Sequence, residues 1–217
     1  MHSRRAIHDG LRMVILASIF LAGCSKRPKS YAPEVDATAA GEAAIEQYDA
    51  DGDGKISGAE LNKAASLKSN LKKIDADGDA ALTAEEIAAH IRRWQTTTAL
   101  RARTLMHCKV YRNKAPLADA EVKLVPEKFL GDKMRIVRGK TTTNGVAFLT
   151  VENSAPDDPP GVGPGLYRVE ITKAGEEIPP KYNTDTTLGL DTSMDNPLIV
   201  KGIRFDLDYP PPKMPRR

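Results

Sequence analysis

Apolar residues fall along this chain in three different rhythms. Behind the positively charged start "MHSRRAIHDGLR" comes one unbroken apolar run, "MVILASIFLAG", which is too short to cross a membrane as a helix. From about Ala39 to Gln95 the chain is rich in Ala, Leu, Ile, Lys and Glu and contains no Pro, which predicts helices. Within that stretch Ile45 and Tyr48 share a helical face just ahead of an acidic segment, and Leu71 and Ile74 repeat the arrangement ahead of a second one. From about Leu105 to Leu207 the rhythm changes to short alternating runs broken by Gly, Pro, Asn and Asp, which predicts strands. Met106, Cys108 and Val110 fall on one strand face, as do Val122 and Leu124. Asn144-Gly145 joins two strand-like runs in "GKTTTNGVAFLTV", and "PGLYRVEITKAG" and "LIVKGIRFDLDY" add two more.

The fold class expected from these rhythms is α+β multidomain, a small all-α unit followed by an all-β sandwich of short strands. The boundaries fall at 1–23 (a secretory signal layout), 24–38 (a polar tether with two prolines), 39–95 (the helical unit), 96–103 (a linker), 104–209 (the sandwich) and 210–217 (a Pro-rich tail that cannot pack). The two folded units are expected to melt separately.

Composition narrows the partners. The chain has 217 residues, 28% charged and 41% hydrophobic, with a formal net charge of +3. Loss of residues 1–23 removes three Arg and one Asp, so the formal charge falls from +3 to +1, and no field suited to nucleic acid remains. Of the 2 cysteines, Cys24 ends the signal layout, which leaves Cys108 without an intramolecular disulfide partner. Cys108 sits in an alternating strand and reads as buried and inert. Arg92, Arg93, Arg101 and Arg103 read as a solvated basic face, and His90 as a surface or packing residue.

The candidate chemistry lies in two acidic loops. The first runs Asp49-Ala-Asp51-Gly-Asp53-Gly54-Lys55-Ile56-Ser57-Gly-Ala-Glu60 and satisfies D-x-D-x-D-G-x5-E at every position. So many carboxylates at that spacing repel one another unless a hard cation neutralises them. Calcium takes six to eight oxygens, and three alternate Asp side chains supply one hemisphere. Gly54 permits the positive-φ turn, Lys55 offers its carbonyl, Ser57 a hydroxyl or a held water, and Glu60 both carboxylate oxygens. Ile56 is expected to pair with its counterpart in the second loop. This loop resembles the calcium loop of the EF-hand family.

The second loop, Asp75-Ala-Asp77-Gly-Asp79-Ala80-Ala81-Leu82-Thr83-Ala-Glu85-Glu86, keeps every carboxylate but has Ala80 at the turn position. A left-handed Ala costs on the order of 1–2 kcal/mol, so Asp75, Asp77, Asp79, Ala81, Thr83 and Glu86 are expected to form either the weaker calcium site or a structural partner to the first. Only residues 61–74 separate the loops. One unbroken helix there would be about 21 Å long and would hold them apart, so two very short helices capped at Ser66 and Ser69 are expected.

Two further resemblances complete the reading. Leu21-Ala22-Gly23-Cys24 resembles the lipobox of bacterial lipoproteins, which implies export, diacylglycerol on Cys24 and a membrane anchor, with Ser25 pointing to an outer membrane. The stretches around "APLADAEVKLVP", "TNGVAF" and "PGLYRVEI" resemble the carboxypeptidase-regulatory-like, transthyretin-like sandwich. The paired His and C-terminal motif of its hydrolase relatives are missing, and the chain ends "PPKMPRR". The expectation is therefore a non-enzymatic, calcium-binding, lipid-anchored envelope protein with an envelope protein or polysaccharide as possible partner. An accessory or carrier role beside an exported enzyme or transport machine is the alternative.

Overall fold

A computed structural model describes residues 33–97, 103–158 and 160–211. The signal layout, Cys24 and the start of the tether lie outside the described residues, as do positions 98–102 of the linker and 212–217 of the tail.

The chain folds as a small helical region followed by a mostly antiparallel sheet, an α+β arrangement. Helix α1 (Ala37–Tyr48) begins at Asp36, whose carboxylate accepts the N–H groups of Thr38 and Ala39, and α5 (Ala84–Thr96) begins at Thr83 in a capping box with Glu86. The two pack closely because Gly41 has no Cβ: one placed there would stand 2.2 Å from the Ala84 carbonyl oxygen. Between the loops run three short helices rather than two: α2 (Gly58–Leu61), α3 (Ala65–Ser69) and α4 (Leu71–Ile74). Neither serine caps as expected. Ser66 lies inside α3 and is fully buried, while Ser69 closes α3 by donating back to the Ala65 carbonyl at 2.8 Å. No helix of so few residues is stable alone, so tertiary packing holds all three.

The sheet contains β3 (Met106–Arg112), β4 (Ala115–Pro116), β5 (Ala120–Pro126), β6 (Val137–Lys140), β7 (Val146–Val151), β8 (Leu166–Lys173), β9 (Gly189–Asp191) and β10 (Ile203–Leu207). Its order is β10-β3-β7-β6-β5-β8-β9, with β4 beside β3. Every ladder is antiparallel except β10 with β3, where Ile203 faces Cys108 in parallel register. A short helix α6 (Pro197–Lys201) leads into β10. Alternation is as anticipated: Met106, Cys108 and Val110 are buried with Val122, Leu124, Val169, Ile171, Phe205 and Leu207 in one cluster that reaches from end to end of the sheet. Burial pushes the Cys108 thiol up to about 12, so it is an inert core residue. Asn144 and Gly145 do turn β6 into β7, with Gly145 at φ 72°.

The helical region does not have a core to itself. Its buried residues, among them Tyr48, Ile56, Leu67, Leu82, Ile91 and Trp94, form one cluster with Phe129, Leu130 and Leu166 of the sheet region. Leu166 is on the opposite face of β8 from Tyr167, so that strand serves both clusters. Full burial of a side chain such as Leu166 contributes about 1.5–3 kcal/mol, and a region of such short helices cannot forgo several of these. The sheet keeps a cluster of its own, but the core of the helical unit is completed by residues of the sheet region across a shared interface. Gly189 marks it: a Cβ there would lie 2.1 Å from the Ala65 oxygen, so α3 rests directly on β9.

Candidate metal centre

The loops hang between α1 and α2 and between α4 and α5, and they are joined by a two-stranded ribbon, β1 (Lys55–Ile56) with β2 (Leu82–Thr83). Ile56 pairs with Leu82 and Lys55 with Thr83, and both apolar partners are fully buried beneath the loops. The pairing of Ile56 with its counterpart in the second loop, expected from the sequence, is thus realised.

The two loops are wired almost bond for bond. Asp49 accepts the Gly52 and Gly54 N–H groups at 2.7 and 2.9 Å, and Asp75 accepts those of Gly78 and Ala80 at 2.7 and 3.0 Å. Asp51 accepts from Asp53 N and Asp77 from Asp79 N. Asp53 accepts from Lys55 N and Asp79 from Ala81 N, each at 2.8 Å. Glu60 accepts Ala50 and Ser57 N–H groups at 2.7 and 2.9 Å, and Glu86 those of Ala76 and Thr83 at 2.9 Å. Each closing glutamate therefore ties the end of its loop to the beginning. The N–H of Ser57 and then of Ala50 hold the Glu60 carboxyl below its usual range. Partial burial pushes Glu86 up, but the Thr83 and Ala76 N–H groups outweigh it and its pKa is lowered.

Two differences separate the loops. Ala80 does adopt the left-handed conformation, φ 64°, at the position where Gly54 has φ 83°. The carboxylate oxygens also gather differently: Asp49, Asp51 and Asp53 come within 4.8 Å of one another in the first loop, and Asp75, Asp77 and Glu86 in the second. In the second loop the closing residue already stands with the opening ones. Asp79 is turned toward Lys55 across the ribbon, and that ammonium lowers its pKa. All these donors are oxygens, with neither His nor Cys among them, a set suited to calcium and not to zinc or copper.

The sequence reading missed the residues that fasten this centre to the sheet. Tyr48, immediately before Asp49, donates its hydroxyl to the fully buried Glu127 at 2.8 Å. Lys73, just ahead of Asp75, reaches fully buried Asp191 at 2.7 Å, and His90 Nε2 meets the same oxygen at 3.0 Å. Of the two readings of His90, surface or packing, the structure shows the second: it is buried against Trp94 and partners a carboxylate. Arg93 pairs with Asp195 at 2.6 Å, and Arg92 with Glu85. Nothing in the local sequence of "LGLDTSMDN" announces these roles, since both partners lie more than a hundred positions away.

A family model described as "EF hand" matches residues 42–65, which span the end of α1, the whole first loop and α2. Searches of curated proteins and of solved structures find no match. An EF-hand motif is thus present in this chain at residues 42–65, which suggests calcium binding, and the second loop repeats its wiring.

Proposed function

We propose that this protein is an exported, lipid-anchored calcium-binding protein of the cell envelope, with no catalytic activity of its own. Both loops hold calcium: Asp49, Asp51, Asp53, Lys55, Ser57 and Glu60 in the first, and Asp75, Asp77, Asp79, Ala81, Thr83 and Glu86 in the second. Cys24 carries the lipid. The sheet is a carboxypeptidase-regulatory-like, transthyretin-like module that presents the calcium unit and offers a face to an envelope protein or polysaccharide.

The observation that carries the reading is the shared wiring of two loops whose carboxylates are already gathered by backbone N–H groups. That arrangement favours calcium binding with little rearrangement. The hands contain no Met and are packed against the sheet, which favours a rigid calcium-stabilised module over an opening switch. Isothermal titration of the mature chain should show calcium uptake on the order of micromolar to millimolar, with magnesium competing poorly. Glu60→Gln should remove one site, because it deletes a bidentate ligand. A wild-type chain that takes up no calcium in this range would refute the reading.

A further inference from the structure

A calcium loop performs only as well as the helices on either side hold it. The second loop hangs between α4 and α5, and one side chain of the sheet region reaches both. Asp191 Oδ2 accepts from Lys73 Nζ at 2.7 Å, in the last turn of α4, and lies 3.0 Å from His90 Nε2, one turn past Glu86 on α5. Its other oxygen is held by the Ser193 N–H at 2.8 Å, and its carbonyl by the Asn196 side chain at 2.6 Å. The carboxylate is therefore fixed to its own turn before it touches either helix. Asp195 repeats the brace from the same turn, taking Lys73 from α4 and Arg93 from α5. His90 has no partner at Nδ1, so Asp191 is the one hydrogen bond orienting its ring among the described residues.

We propose that Asp191 is a positioning residue for calcium at the second loop, bridging its incoming and outgoing helices so that Glu86 stands beside Asp75 and Asp77. The inference rests on the reading of the second loop as a calcium site. Glu86 stands with Asp75 and Asp77 although Ala80 is held left-handed, and on this reading the strain is local while the helix positions are set from outside by a group with no part in the loop. The first loop is fastened differently. Its link to a buried sheet carboxylate is Tyr48 to Glu127, which engages the incoming α1 and does not bridge to α2. The dependence on Asp191 is accordingly selective. By linkage it is also reciprocal, since calcium in the second loop tightens the docking of α4 and α5 on the sheet. Burial would raise the Asp191 carboxyl, but His90 and Lys73 hold it at about 2, so this carboxylate is ionised throughout the range in which calcium is measured.

Calcium titration of the chain carrying Glu60→Gln isolates the second loop, and Asp191→Asn is then added in that background. The expected result is an affinity lower by about tenfold, within the range of ordinary coupling between sites. Asp191→Asn alone should leave the first loop's affinity within about twofold of wild type, a distinction that general loosening of the fold would not make. An unchanged second-site affinity overturns this inference and leaves the calcium reading standing; equal losses at both loops also overturn it. No uptake by the Glu60→Gln protein, with uptake by wild type, overturns it together with the assignment of the second loop. Should Asp191→Asn prevent folding, Lys73→Met, which spares the His90–Asp191 pair, carries the same expectation and the same refutation.

Discussion

Replacing Gly189 by Ala separates a docked helical unit from a merely tethered one by the sign of its effect. Gly189 lies on β9 with no positive φ, so its backbone accepts any residue. On an uncovered strand, Gly→Ala at a compatible position stabilises by about 0.4–1 kcal/mol, because the unfolded chain loses freedom. Here the added methyl would stand 2.1 Å from Ala65 O and 2.4 Å from Ala65 C and Ser66 Cα. These are backbone atoms and cannot swing aside. Restoring an ordinary carbon–oxygen separation pushes α3 off the sheet by more than an ångström, which loosens fully buried Leu67 and Leu166 in the shared cluster. Overpacking of this kind costs about 1–3 kcal/mol. For a chain of this size each kcal/mol moves Tm by about 2–4 °C. Thermal unfolding followed by circular dichroism should therefore show a single transition lowered by about 2–12 °C, with calcium chelation shifting the whole of it. A raised Tm, or two transitions of which only one responds to chelator, would refute the shared core.

Two other perturbations test separate parts of the account. The Asp191 carboxyl is held at about 2, below the usual range, against its burial, by His90 and Lys73, with Asp195 and Arg93 close by. A depressed folded pKa adds stability above about pH 4 that is lost as pH falls toward 2, here about 2 kcal/mol. Acid titration of Tm should be correspondingly less steep in Asp191→Asn than in wild type, and parallel curves would count against the pairing; Glu127, which burial pushes the other way, is common to both proteins. Cys24→Ser should abolish metabolic labelling with fatty acid and leave the precursor uncleaved, and a variant that still matured and fractionated with membranes would sink the lipid anchor.

Much of this molecule is legible from neighbouring residues. The acidic loops declare themselves because their alternating carboxylates and closing glutamate sit within one short stretch, and the backbone bonds that Asp49 and Asp75 accept span only a few positions. The strands declare themselves because the two-residue period of a pleated sheet sorts Met106, Cys108 and Val110 to one face without reference to anything distant. The residues between the loops carry no such signal. A serine reads as a cap when water surrounds it, yet Ser66 is inside a helix of a few residues whose existence depends on the sheet beneath it. Likewise the sequence shows that His90, Lys73 and Asp191 are titratable and says nothing of their meeting, because they are separated by 101 and 118 positions. Only tertiary structure decides such contacts. Apolar surface on helices too short to bury it themselves must find a second surface, and once Leu166, Phe129 and Leu130 cover it, polar groups buried with it, such as Asp191, Glu127 and His90, must find partners across the seam.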